Sequence, residues 1–253
     1  MENENTPATE PVEIRSGIEL PARRDNIELH TADGLTLVGE LAQPLEKAPV
    51  ATLVTFHPLP THGGFMDSHI YRKAALRLPA LADLAVLRFN TRGTTSPRGT
   101  SEGSFGDGID EVHDVRAAFD FVREHELPNP WMVGWSFGTE LTLKYAREHE
   151  ELLSGVILLS PPLRRTTPEE LAAWQSWTKP FLWLVPEHDD FLKPDAAREA
   201  IARAGLANVD FVDVEDGRHL WVGEKQTRRV LNEIVARVNP TAAPLPTHWP
   251  ATN

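Results

Sequence analysis

Trp131-Met132-Val133-Gly134-Trp135-Ser136-Phe137-Gly138 is the stretch whose reading decides the fold. A short apolar run climbs into Gly-x-Ser-x-Gly, and a helix-forming segment, residues 139–146, leaves it. Strand, sharp turn and helix form the setting in which that pentapeptide presents a serine nucleophile. The serine at the apex must hold a strained backbone, so bulky neighbours two positions away would clash, and Gly134 and Gly138 remove them. The same pattern recurs at Gly99-Thr100-Ser101-Glu102-Gly103, so the pattern alone does not choose. Ser101 follows Thr94-Thr95-Ser96-Pro97-Arg98, a polar, breaker-rich loop with no strand behind it. Ser136 is the expected nucleophile and Ser101 a loop residue.

Outward from that turn, strands alternate with helices. Residues 27–31 and 35–41 alternate apolar and polar around Asp33-Gly34, an antiparallel hairpin. Residues 50–56 and 84–89 are apolar runs of buried strands, and 131–135, 155–160, 181–185 and 209–214 read as further strands. A helix is expected from about Ser68, carrying Ile70, Ala74, Ala75 and Leu78 until Pro79 ends or bends it. A second follows Ile109, Val112, Arg116, Phe119 and Val122, with Asp107 as its N-cap. Thr167-Pro168 opens a short third, 195–204 a fourth, and from about Glu224 a last one carries Val230, Leu231, Ile234, Val235 and Val238 on one face. The hairpin and the alternation predict an α/β fold with a mostly parallel eight-stranded sheet and helices on both faces, in one domain over residues 25–239. Residues 1–24, polar and aperiodic, read as a mobile or loosely packed arm, and the proline-rich 240–253 as a tail without structure.

Composition excludes several function classes. A formal charge of −12 disfavours nucleic acid or an anionic membrane as partner. With no cysteine, thiolate catalysis, disulfides and cysteine zinc sites are ruled out. No apolar run reaches a membrane span, and Met1 to Asn5 lacks the basic start of a signal peptide, so the cytoplasm is the expected location. Gly63-Gly64 lacks the Gly-Lys-Ser/Thr that would make it a phosphate cradle. His188-Asp189-Asp190 has no helical histidine pair beside it, so neither a metal nor another cofactor is expected.

A sheet of this kind carries its functional loops at the carboxyl ends of its strands. Ser136, Asp189 and His219 fall there, in that order. So do His57-Pro58-x-Pro60-x-x-Gly63-Gly64-x-Met66, Leu87-Arg88-Phe89-Asn90-x-Arg92-Gly93, Glu187-x-Asp189 and Gly217-x-His219. With these features, residues 27–238 resemble an α/β-hydrolase with a minimal cap. More narrowly they resemble the small bacterial predicted α/β-superfamily hydrolases related to dienelactone-hydrolase and serine-aminopeptidase-like proteins. The resemblance implies a serine hydrolase acting on a small-molecule ester, thioester or amide, with carboxylesterase-like activity and no cofactor. The same triad also serves acyltransferases and peptidases, and a hydrolase fold can serve as a non-catalytic binding or scaffold protein.

Each role has a physical reason. Neutral serine needs a base within hydrogen-bond reach, and His219, between the last strand and the last helix, is the candidate. Asp189 would orient the imidazole. Glu187 and Asp190 are rivals in the same loop; the family pattern selects Asp189, while Pro186 in place of the usual glycine keeps Asp190 open. The oxyanion needs two backbone donors. One is the N–H of Phe137, and in the loop after Phe56 the prolines at 58 and 60 leave Leu59 as the other. Arg92 is expected to pair with a carboxylate and pin the Asn90 loop. Phe65, Met66, Trp135, Phe191 and Trp221 flank these loops as candidates for a substrate pocket. Residues 163–178 are the only stretch long enough for a lid, and their shortness points to an open site.

Overall fold

Alternate side chains of a strand face opposite ways, and here that alternation divides the core in two. The computed structural model describes residues 10–250. Its main sheet has eight strands, β1 (Arg23–His30), β2 (Thr36–Gln43), β3 (Ala51–Phe56), β4 (Leu84–Phe89), β5 (Pro130–Trp135), β6 (Gly155–Leu159), β7 (Phe181–His188) and β8 (Asp210–Arg218). Their order is β1-β2-β4-β3-β5-β6-β7-β8; β1 with β2 and β2 with β4 run antiparallel, and every other pair is parallel. Leu53, Val86, Val133 and Ile157 point to the face covered by α1 (His69–Ala82) and α6 (Glu224–Val238). Val54, Leu87, Met132 and Leu158 point to the other, against α2 (Val112–Glu124), α3 (Phe137–Tyr145), α4 (Pro168–Ala172) and α5 (Pro194–Arg203). Central strands β3, β4 and β5 are buried at every residue, as their unbroken apolar runs require.

Four expectations need correction. Of the two outcomes expected at Pro79, ending or bending α1, the first does not occur, since the helix continues to Ala82. A proline cannot donate to the carbonyl four residues earlier, and here Arg24 Nη2 donates to the bared Ala75 carbonyl at 3.4 Å. Nor does Asp107 cap α2. The buried Glu111 accepts the N–H groups of Gly106 and Gly108, each at 2.8 Å, and folds 106–111 into a turn of its own, leaving Ile109 exposed.

The two ends of the described chain are built into the molecule. Val12–Glu13 pairs antiparallel with His248–Trp249, Ile14 and Leu20 are buried, and Leu245 enters the core beside α6. Arg228 donates to the carbonyls of Leu245 and Pro246, and Asn232 Oδ1 accepts the Leu245 N–H at 2.7 Å. A loose arm and an unstructured tail are therefore wrong for residues 10–24 and 240–250; residues 1–9 and 251–253 lie outside the described residues.

The stretch 163–178 is mostly core. A Thr167–Glu170 capping box starts α4, Trp174 and Trp177 are buried, and the Trp174 ring stacks on Phe181 with centroids 4.5 Å apart. Among the described residues, no helix is long and apolar enough to cross a membrane.

Candidate active site

β5 passes into α3 through Ser136, whose backbone sits at φ 53° and ψ −115°. For a residue with a Cβ such a conformation costs about 1–3 kcal/mol, held by its surroundings. Those surroundings are specific. The Ser136 N–H donates to the Leu159 carbonyl at the end of β6, and its own carbonyl accepts from the N–H and Oγ1 of Thr139. A Cβ on Gly134 would stand 2.4 Å from the Gly138 carbonyl oxygen, and one on Gly138 only 1.9 Å from the Phe56 oxygen. Gly134 thus lets the helix close over the strand, while Gly138 lets it close onto the end of β3.

The structure brings Ser136, His219 and Asp189 together. Ser136 Oγ lies 2.8 Å from His219 Nε2, and His219 Nδ1 lies 2.9 and 3.1 Å from the two Asp189 oxygens. An ionised carboxylate only accepts, so Nδ1 carries the proton and Nε2 is free to take one from the serine. Asp189 is buried and Asp190 exposed; the spare capacity of Asp189 Oδ1 is used by the N–H groups of Phe191 (2.8 Å) and Leu192 (3.2 Å). Glu187 Oε2 accepts the Asp216 N–H at 2.9 Å instead, bracing the turn that leads to His219. The His219 carbonyl is held from below by Trp135 Nε1 (3.2 Å) and Ser160 Oγ (3.0 Å).

Phe137 opens α3, so its N–H has no earlier helical carbonyl to meet. The Leu59 N–H likewise meets no backbone acceptor among the described residues. The loop around Leu59 is rigid for reasons the two prolines do not supply. His57 is fully buried and its Nε2 accepts the Thr91 N–H at 3.0 Å; Nδ1 must then hold the proton, which it donates to the Pro58 carbonyl at 2.7 Å. Burial pushes the His57 pKa down to about 4, so the ring stays neutral. Gly64 closes the same loop, since a Cβ there would lie 2.0 Å from the Pro58 oxygen.

Neighbouring residues sort plainly. Ser101 is buried, donates to the Asn90 carbonyl (2.7 Å) and accepts from the Val38 N–H (3.0 Å). Arg92 lies between the buried Asp114 and the exposed Asp33; its guanidinium, through direct hydrogen bonds, holds the Asp33 carboxyl well below the usual carboxylate range. Met66, Trp135 and Trp221 are wholly buried, so as pocket-lining candidates they are corrected to core residues; no substrate touches a side chain without exposed surface. Phe65 is half-buried, and Phe191 lies exposed against the His219 ring with centroids 4.4 Å apart. Sequence reasoning passed over the roles of His57, Ser160 and the Trp135 indole. His57 stood in a quoted motif, but its partner Thr91 is 34 residues away; no local pattern announces Ser160.

Comparison with known proteins places the fold. The profile of the alpha/beta hydrolase fold family matches residues 61–188. The chain belongs to that family. The matched residues include Ser136 but stop one short of Asp189. An α/β serine hydrolase without lid from Xanthomonas campestris is 25% identical to this chain, with a TM-score of 0.71 over 93% of this chain and 99% of that one. An esterase of Pyrococcus furiosus shares the fold at 19% identity and a TM-score of 0.63, over 85% of this chain and 93% of that one. An uncharacterized protein of Rickettsia prowazekii is 26% identical over 159 residues, which span 62% of this chain and 63% of the relative.

Proposed function

We propose that the chain is a serine hydrolase that cleaves a carboxylic ester, thioester or amide through an acyl-enzyme on Ser136, with carboxylesterase-like activity as its main chemistry. The observation that carries this reading is the unbroken chain from Ser136 Oγ through His219 to Asp189. His219 Nε2 takes the hydroxyl proton as Oγ attacks the carbonyl carbon, and Asp189 stabilises the imidazolium. The oxygen that gains charge is met by the N–H groups of Phe137 and Leu59. Collapse expels the alcohol, thiol or amine, which receives the proton from His219. Water then enters by the same route, giving its proton to Nε2 as its oxygen attacks the acyl carbon, and Ser136 leaves protonated.

The test uses both serines of the repeated pattern. Ser136→Ala should abolish labelling by a fluorophosphonate probe and lower kcat on a cleaved ester by about 10⁴-fold or more. Ser101→Ala should keep labelling and kcat, and lose about 1–2 kcal/mol of stability because the Val38 N–H and Asn90 carbonyl lose their partner. Near-normal turnover by Ser136→Ala, or equal catalytic losses at both serines, would sink the mechanism.

A further inference from the structure

The loop after β6 carries two adjacent arginines in different circumstances. Glu140, fully buried in the first turn of α3, accepts the N–H of Arg164 (2.7 Å), the N–H of Arg165 (3.1 Å) and Thr166 Oγ1 (2.6 Å). The backbone that presents both side chains is therefore fixed from within. Arg165 is neutralised: it pairs with Asp107 at 2.7 Å and lies over Phe137. Arg164 has no carboxylate within 4 Å among the described residues. Its guanidinium is exposed and stacks 4.7 Å from the centroid of Phe191. Phe191 in turn lies tilted against the His219 ring, and its N–H is held by Asp189. An unpaired cation thus stands one aromatic ring away from the imidazole, fixed by elements that also build the site.

The chain's charge balance makes this informative. With 37 acidic and 25 basic residues, most arginines here are met by carboxylates. Arg72, Arg218 and Arg228 also lack one among the described residues, but none of them lies over a ring of the site. A stacked guanidinium keeps the donors at its edge free, in the fork that fits a carboxylate with two parallel hydrogen bonds. From this we infer that Arg164 is the anion-recognising residue of the site, and that the preferred substrate is an ester bearing a carboxylate away from the scissile bond. The inference rests on the hydrolase reading above.

Two matched pairs test it and show which side of the ester carries the charge. Monoethyl adipate against ethyl hexanoate places the carboxylate on the acyl side, and 4-acetoxybenzoate against its methyl ester places it on the leaving group. In at least one pair the wild type should favour the anionic member, and Arg164→Gln should lower kcat/KM for that member by about 10- to 100-fold while the neutral one changes by less than about threefold. Arg164→Lys should restore part of the preference, Arg72→Gln should leave it intact, and raised ionic strength should weaken it. Equal effects of Arg164→Gln on both members of both pairs, or none, overturn the inference and leave the hydrolase reading standing. Calorimetric binding of free adipate and 4-hydroxybenzoate separates the opposite failure: Arg164-dependent binding without Ser136-dependent turnover keeps the anion subsite and overturns the reaction.

Discussion

Thr91 presents a backbone N–H to His57, and a backbone N–H can only donate, so a proton on Nε2 would set two donors against each other. That conflict adds to the cost of charging a buried ring whose pKa lies at about 4 against an ordinary 6.5. Between those values the unfolded chain binds a proton that the folded chain refuses. Stability therefore rises with pH across that window, is complete above it, and at pH 5 has lost about 2 kcal/mol through this one group. His57→Asn removes the titration. Whatever it costs at pH 7, its deficit relative to the wild type should shrink by about that amount at pH 5, read from urea midpoints. A deficit that stays constant with pH would remove His57 from the acid response. At this scale the sequence named Ser136, Asp189 and His219, whose side chains the fold brings within hydrogen-bond reach of one another, and named Leu59 and Phe137 as backbone donors. It could not name what steadies them. The bonds of His57 to Thr91, of Ser160 to His219 and of Ser101 to Val38 span 34, 59 and 63 residues, beyond any local pattern.

Elements were legible wherever burial is total. The runs in β3, β4 and β5 leave no choice but a strand covered on both faces, and α6 shows its apolar stripe at helical spacing. Misreadings came where a single polar contact outweighs propensity. Glu111 turned the start of α2 into a separate turn, and α1 runs past Pro79 with Arg24 on the carbonyl that the proline leaves bare. The second case can be measured. Arg24 Nη2 also donates to Leu20 at 3.0 Å and Nη1 pairs with Glu19, so Arg24→Ala disturbs more than α1. Its contribution to the helix is the part that depends on Pro79. Arg24→Ala should cost about 1–2 kcal/mol with Pro79 present and at least about 0.5 kcal/mol less in a Pro79→Ala background, where the substituted position regains an N–H for the Ala75 carbonyl. Strict additivity in that double-mutant cycle would mean the arginine does nothing for the proline-broken turn.

At the scale of the molecule, the sheet sets β5, β7 and β8 near one another so that three loops meet at one imidazole, and α6 follows directly on the His219 loop. What holds α6 down matters for the site. From the sheet side come Val230, Leu231, Ile234 and Val235; from α1, Arg77 and Lys73 reach Glu224 at its first turn. From outside comes the segment after Asn239, with Leu245 in the core and its backbone held by Arg228 and Asn232. The tail's prolines and scattered polar residues concealed this, because Leu245, the one deeply buried side chain among its described residues, carries no periodicity. Deleting residues 240–253 removes the burial of Leu245, worth about 1.5–3 kcal/mol, and strips Val12–Glu13 of its partner strand. For a domain of this size that corresponds to a fall in Tm of roughly 5–10 °C. Ester turnover at 25 °C should survive, because the hydrogen bonds joining Ser136, His219 and Asp189 involve none of the deleted residues. The temperature at which turnover is lost should fall together with Tm, since melting of α6 releases the His219 loop. An unchanged Tm would show that the closing segment lies on the surface without bracing it; a lower Tm with turnover lost already at 25 °C would show that α6 depends on it even in the native state.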